Sequence, residues 1–294
     1  MKIAVYGKLI SPEARPYIEK LYHMLKAEGV ELIFYAPFHQ HLVDHCDIEI
    51  DYPTYSSSIE LIASQSDVML SIGGDGTILD AATLVRNSGI PILGVNTGRL
   101  GFLADVAREE VNKAAKALLK GKYTVQNRNL ISVSTSSPDI IPDPNFALNE
   151  IAVSRKDTTS MITVHTWIND EYLNSYWADG LIIATPTGST GYSLSCGGPI
   201  IMPGSENFVI TPIAPHNLTV RPFVIPNHYK IRLKVETRED RFLTSVDSRI
   251  YACDSEVEIF LERADFKIGT IQTEVQNFPS TLRNKLLWGL DRRN

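Results

Sequence analysis

Val68-Met69-Leu70-Ser71-Ile72-Gly73-Gly74-Asp75-Gly76-Thr77-Ile78-Leu79 carries an apolar run into a cluster of glycines and out into a helical pattern. Residues 68–72 read as a buried strand. Ile78, Leu79, Ala82 and Val85 recur at helical spacing, and Gly89 stands where a helix takes a C-terminal glycine. The same alternation flanks this stretch. Residues 3–6 form an apolar strand, and Ser11-Pro12 predicts an N-cap and first helical position for a helix with Ile18, Leu21 and Leu25 on one face before Gly29. Residues 32–35 predict a second strand, whereas 39–58 carry no clear pattern. Residues 90–95 predict another buried strand, and 108–121, with acids early and Lys120 late as a helix dipole favours, predict another helix. Alternating βα units of this kind imply a parallel sheet with helices on both faces.

From about residue 130 the texture changes. Short β-rich runs at 130–135, 146–154, 161–168, 173–177 and 180–185 follow one another, and then runs at 208–213, 229–235, 242–246 and 256–261. Turn residues separate them with little helical periodicity, which predicts an all-β, sandwich-like second domain. Leu282, Leu286, Leu287 and Leu290 predict a helix over 279–290 that docks back on the chain. The expected division is therefore an α/β domain over 1–128, joined by 278–294, and a β-rich domain over 129–277.

A chain of 294 residues can bury a core without staples, so disordered, collagen-like and disulfide-scaffold classes are excluded. Its 28 basic and 34 acidic residues give a net charge of −6, which argues against a surface that attracts nucleic acid or anionic membrane. Cys46, Cys196 and Cys253 form no close pair and read as thiols of a reducing compartment. The first residues are interrupted by lysine and read as a strand, not a signal peptide, and no apolar stretch approaches the roughly 18 residues that span a bilayer. A cytoplasmic protein is expected.

Two glycine-rich stretches could carry chemistry. In Gly73-Gly74-Asp75-Gly76-Thr77 the glycines let backbone approach a ligand, and the amides opening the following helix favour an anion. It is not a P-loop, because no lysine follows. Asp75 would repel a phosphate unless it takes a proton from an attacking hydroxyl or holds a bridging metal; alternatively it is the N-cap of a tight turn. Residues 179–193 open a buried strand into a loop dense in hydroxyls, which suits a phosphate- or sugar-bearing ligand or else a polar surface turn. Asn149-Glu150, adjacent in a strand-like run, read as a solvated edge. The histidines are scattered, and no protein-borne metal site is legible.

These segments occur in a fixed order: GGDGT at 73–77, NTGRLGFLAD at 96–105, NE at 149–150, DGLIIATPTGSTGYSLSCGGPI at 179–200, PIAPHNLTVRPFVIP at 212–226 and FPSTLRNKLLW at 278–288. Together the chain resembles the bacterial ATP-dependent NAD kinases. GGDGT alone is shared with lipid kinases and 6-phosphofructokinases, whereas the stretch over 179–200 is specific. The resemblance implies an N-terminal nucleotide-binding α/β domain, a C-terminal NAD-binding β-sandwich and a last helix returning to the first. It implies transfer of the γ-phosphoryl group of ATP to the 2′-hydroxyl of the adenosine ribose of NAD, with a divalent metal ion, Mg²⁺. A homodimer or homotetramer with sites between domains and shared between subunits is implied as well.

By position, Asp75 matches the catalytic base. Gly73, Gly74, Gly76 and Thr77 match the phosphate cradle, with Gly76 also against NAD. Asn149 and Glu150 match ribose and adenine ligands, against the edge reading above, and Asp179 matches an acid near the nicotinamide carboxamide. Thr190, Gly191, Tyr192, Ser193, Leu194 and Ser195 match the loop around the adenine-ribose half. Three positions depart from the pattern: Asp80 where a basic residue is common, Trp177 where arginine occurs, and Arg249 where glutamine is common. Trp177 and Arg249 are still expected near NAD. The rival readings are a lipid or sugar kinase sharing GGDGT, for which no polybasic or basic amphipathic segment is present, and a non-catalytic dinucleotide-binding regulator, to which the carboxylate of Asp75 would add nothing.

Overall fold

The computed structural model describes residues 1–46, 51–98, 101–104, 106–157, 160–273 and 278–286. The chain divides into two compact units, residues 1–127 with 268–294, and residues 128–267. No described helix is long and apolar enough to cross a membrane.

The first unit is built on parallel strands in the order Ile92–Asn96, Val68–Gly73, Lys2–Gly7, Glu31–Tyr35 and Thr54–Tyr55. Val106–Ala107 and Thr270 pair with Ile92–Asn96. These strands read as continuous apolar runs because their middles are buried on both faces. The chain winds outward from Lys2–Gly7 to one side, then returns to lay Val68–Gly73 on the other. The order therefore reverses between those two strands, and in open α/β sheets ligands bind at the carboxyl ends flanking such a reversal. The loop beginning at Lys8 and the glycine turn at 73–77 both leave from there.

The helices are Arg15–Ala27, Ala36–Cys46, Ser58–Ala63, Asp75–Val85, Val111–Leu119 and Phe278–Leu286. The first begins later than Ser11-Pro12 predicts. The Ser11 carbonyl instead accepts the Ala14 and Arg15 N–H groups in a turn, and Pro16 takes the early helical position. The helix Ala36–Cys46 lies where no pattern was legible. Its buried stripe is only Phe38, Leu42 and Cys46, spaced four apart among histidines. The returning helix is described to Leu286; the predicted turn over 287–290 lies outside the described residues, as do Arg99, Leu100 and Asp105 of the NTGRLGFLAD stretch.

The second unit is two antiparallel sheets. One runs Phe223–Pro226, Asn207–Ile213, Gly180–Ala184, Glu150–Arg155, Arg241–Val246, Arg249–Asp254. The other includes Glu171–Ala178, Ile162–Ile168, Ile231–Glu236 and the first residues of the Glu258–Thr273 strand. Ile151, Val153, Leu181, Ile183, Phe208, Ile210 and Phe242 of the first face Ile162, Val164, Leu233, Val235, Ile259 and Leu261 of the second in one core, which is the sandwich that the period-2 pattern predicts. Phe223–Pro226 and Arg249–Asp254 were not legible: one is a proline-ended edge strand and the other a polar edge. The predicted run 146–154 is broken into Phe146–Ala147 and Glu150–Arg155, and the latter is flanked on both sides. Asn149-Glu150 thus head an interior strand, which corrects the edge reading.

Phe208→Ala should cost about 3–5 kcal/mol, because the ring is fully buried in the sandwich core. Phe223→Ala, on the half-exposed edge, should cost within roughly 0.5 kcal/mol of nothing. Chemical denaturation of the two variants reads the contrast.

Candidate active site

In the first unit the turn at 73–77 is shaped by close approach. A Cβ on Gly73 would lie 2.1 Å from the Thr77 hydroxyl oxygen, which itself accepts the Gly74 N–H at 3.2 Å. Asp75 is the first residue of its helix, and Gly74 is the cap. The carboxylate therefore does not cap its own helix. It reaches across to the loop after Ile92–Asn96, where Oδ2 accepts the Phe102 N–H at 2.8 Å and Oδ1 accepts those of Leu103 and Ala104 at 3.0 and 2.9 Å. Gly101 is compelled by this, since a Cβ there would lie 1.8 Å from Oδ1. Buried Asn96 braces the same loop, accepting the Gly98 N–H and donating to the Ala104 carbonyl. Lys285 of the returning helix stands 4.0 Å from Asp75 Oδ2 and 4.6 Å from the Phe102 ring centroid. Sequence reading missed Lys285, because leucine spacing defines the helix but not which polar residue faces the loop.

In the second unit the residues expected to bind a dinucleotide gather around the Leu148–Glu150 corner. Asp247, half-buried and held at φ +52°, accepts the N–H groups of Leu148, Asn149 and Glu150 at 2.8, 2.8 and 3.1 Å. The next segment lies against the same corner: a Cβ on Gly188 would meet the Asn149 carbonyl at 2.1 Å, and one on Gly191 would meet Glu150 Oε2 at 3.0 Å. Most of the loop's hydroxyls are consumed inside it. Thr185 donates to the Leu148 carbonyl, Ser189 to that of Pro186 and Thr190 to that of Thr187, while Ser193 pairs with Thr211. Hydroxyl density is therefore scaffold here, and Ser193 is fully buried. Asn149 Oδ1 and Glu150 Oε2, at this corner, are among the buried atoms without a partner. Tyr192 and Ser195 present exposed side chains, and Leu194 is half-buried.

Burial, and next the neighbouring Asp247, push the Glu150 carboxyl up to about 8, and the Tyr192 backbone N–H offsets this only in part. Asp179 pairs with Arg155 at 3.0 Å, and Trp177 is half-exposed with its ring 4.2 Å from that of His216. Arg249 gives its guanidinium to the carbonyls of Pro144 and Phe146, so its charge serves that loop. Asp80 pairs with Lys8 at 2.6 Å, which returns a cation beside the missing one.

The ATP-NAD kinase N-terminal domain model matches residues 3–123, and the ATP-NAD kinase C-terminal domain model matches 148–272. The chain belongs to the NAD kinase family. It is 51% identical to the NAD kinase of Flavobacterium psychrophilum over 295 residues and 42% identical to that of Bacteroides fragilis over 293, with all of each chain covered. Among solved structures, an NAD kinase from Archaeoglobus fulgidus in complex with ATP matches with TM-score 0.72 and 29% identity, covering 97% of both chains. Yeast NADH kinase complexed with NADH matches with TM-score 0.87, covering 99% of this chain and 88% of its own; at 22% identity that likeness is one of fold.

Two outcomes follow for this NAD kinase family member. Asp75→Ala orphans three amides at about 1–3 kcal/mol each, so hydrogen exchange at Phe102, Leu103 and Ala104 should accelerate about tenfold or more. Glu150 carries a folded pKa above its ordinary 4.5, so its contribution to stability is whole below that pH and is lost as pH rises through about 8. Glu150→Gln should therefore gain on the wild type between roughly pH 5 and 8, by at most about 1.4 kcal/mol per pH unit, in denaturant titrations.

Proposed function

We infer that the chain is an NAD kinase, transferring the γ-phosphoryl group of ATP to the 2′-hydroxyl of the adenosine ribose of NAD to give NADP and ADP. The observation that carries the mechanism is the state of Asp75. A carboxylate offers about four acceptor positions, and three are taken by backbone N–H groups. Oδ2 keeps one, on a side chain about one-third exposed. That position accepts the 2′-hydroxyl and then its proton, while the three amides and Lys285 hold the carboxylate in place. Phosphoryl transfer asks chiefly for such positioning and for charge neutralisation. The amides opening the Asp75–Val85 helix, with Gly73, Gly74, Gly76 and Thr77, receive phosphate oxygens. Asn149 and Glu150, with residues 190–195, hold NAD, and Asp179 and Trp177 lie toward its nicotinamide half. Arg249, engaged with carbonyls, acts on the frame of this site.

Among the described residues no group of three or more His, Cys, Asp or Glu could hold a metal, and Asp75 is engaged by amides. Magnesium enters as part of the MgATP substrate, bound by phosphate and water. Cys46, Cys196 and Cys253 are in no disulfide, which supports a cytoplasmic setting, and exposed Tyr172 and Trp177 on one edge strand support a homodimer or homotetramer.

Purified protein with NAD, ATP and Mg²⁺ should form NADP, read with an NADP-specific dehydrogenase. Asp75→Asn, which keeps an oxygen for the Leu103 and Ala104 amides, should lose about 10²- to 10⁴-fold in kcat with NAD affinity within a few-fold. A collapse of NAD affinity instead would make Asp75 a binding residue.

A further inference from the structure

We propose that Asp247 is a positioning residue for the dinucleotide, acting through Asn149 and Glu150: it pins their backbone and leaves the pair's single proton on Glu150, which meets the ligand as a hydrogen-bond donor. The inference rests on NAD as the substrate.

The argument begins from a count of donors. Asp247 and Glu150 are two enclosed carboxyl groups joined through their own backbone, since the Glu150 N–H donates to Asp247 Oδ1 at 3.1 Å and the Asp247 N–H donates to the Glu150 carbonyl at 3.0 Å. Two such groups cannot both ionise cheaply. Asp247 receives three N–H groups on its two oxygens and has the Arg249 guanidinium in its field. Glu150 receives one backbone N–H, from Tyr192, and its Oε2 is buried without a partner. Donors stabilise an anion, so the negative charge settles on Asp247 and the proton on Glu150. Burial pushes both carboxyls up, opposed at Asp247 by three N–H groups and Arg249 but at Glu150 by one N–H.

The other titratable groups facing the pair do not reverse this. Cys196 and Tyr192, from the segment beside Gly191, are themselves pushed up by burial and stay neutral near pH 7. Arg249, from the following strand, steadies Asp247 and is anchored to carbonyls. Glu150 therefore offers an O–H, and Asn149 an open carbonyl oxygen and an amide, to hydroxyls and ring nitrogens of the adenosine half. Asp247 itself touches no ligand in this scheme. It is a carboxylate facing inward from a left-handed residue at a hairpin turn, and its spacing from Asn149-Glu150, nearly 100 residues, hides it from local pattern.

The test is the pH dependence of KM for NAD, measured from pH 6 to 9 on the full chain. The wild type should hold a level KM to about pH 7.5 and rise about tenfold by pH 9, as Glu150 loses its proton. The rise should be in KM and not in kcat. Asp247→Asn removes the anion while keeping an acceptor oxygen, and should start the rise at least one pH unit lower. Glu150→Gln donates at every pH and should show no rise, whatever its level of KM. An Asp247→Asn profile coincident with the wild type, or a rise that survives in Glu150→Gln, overturns the proposal. Carboxyl ¹³C titration of the wild-type protein, assigned with Glu150→Gln, reads the pair without an Asp247 variant: Asp247 charged and Glu150 neutral at pH 6.5 is expected, and the reverse overturns it. If the wild type forms no NADP, the substrate reading fails and the ¹³C titration still decides where the proton resides.

Discussion

A carboxylate that collects three consecutive backbone amides is the constraint on which the loops of each unit depend. Asp75 does this for Phe102, Leu103 and Ala104, and Asp247 does it for Leu148, Asn149 and Glu150. Irregular backbone beside a ligand has no ladder to satisfy its N–H groups, and buried N–H groups left unpaired are costly. A short acidic side chain solves the problem at one point, with charge-assisted bonds roughly twice as strong as neutral ones. The same anion needs several donors to be tolerated away from water. Each partner thus makes the other affordable, and the result is a loop fixed in one conformation. The glycines confirm how tight the arrangement is: Gly101 against Asp75 and Gly188 against the Asn149 carbonyl leave no room for a Cβ.

This constraint also explains a division of labour in the 185–198 segment. Thr185, Ser189 and Thr190 bind carbonyls, and Ser193 pairs with Thr211 of the neighbouring strand, so these hydroxyls brace the loop. The unpartnered atoms sit on the Asn149-Glu150 pair, whose backbone the loop and Asp247 hold from two sides. Groups meant for a ligand are more effective when their own orientation is already fixed, because less freedom is lost on binding. A rigid polar scaffold behind two open polar atoms meets that requirement.

The fold class was legible because period carries it. The βα alternation around residues 68–85 and the period-2 runs beyond 130 report which faces are buried, and burial is local enough to write itself into spacing. The resemblance carried by residues 179–200 then supplied the chemistry. What spacing could not supply was partnership. The amides that occupy Asp75 lie 27 to 29 residues away, and those that occupy Asp247 lie 97 to 99 away. Asn149-Glu150 looked like a solvated edge because two adjacent polar residues look the same whether the strand is outermost or third in a sheet of six. Hydroxyl density is ambiguous for a related reason, since a hydroxyl serves equally as ligand contact or internal brace. The helix Ala36–Cys46 escaped because three buried residues spaced four apart are a narrow stripe among His39, His41 and His45.

Charge placement follows the same logic of partnership over identity. Asp80 stands where the family resemblance predicts a basic residue, which by itself would strip positive charge from the turn at 73–77. Lys8, leaving the neighbouring strand at the point where the sheet order reverses, lies 2.6 Å from it. Both side chains have access to water, so the pair adds little to stability. Its effect is local neutrality: the acid is matched, and the helix opened by Gly74 keeps its electropositive end. Trp177 and Arg249 tell a parallel story, because the cation near Asp179 comes from Arg155, and Arg249 is committed to the carbonyls of Pro144 and Phe146. Read one position at a time, these residues look like lost contacts. Read as pairs, Asp80 is matched by Lys8 and Asp179 by Arg155, while Arg249 is spent on carbonyls.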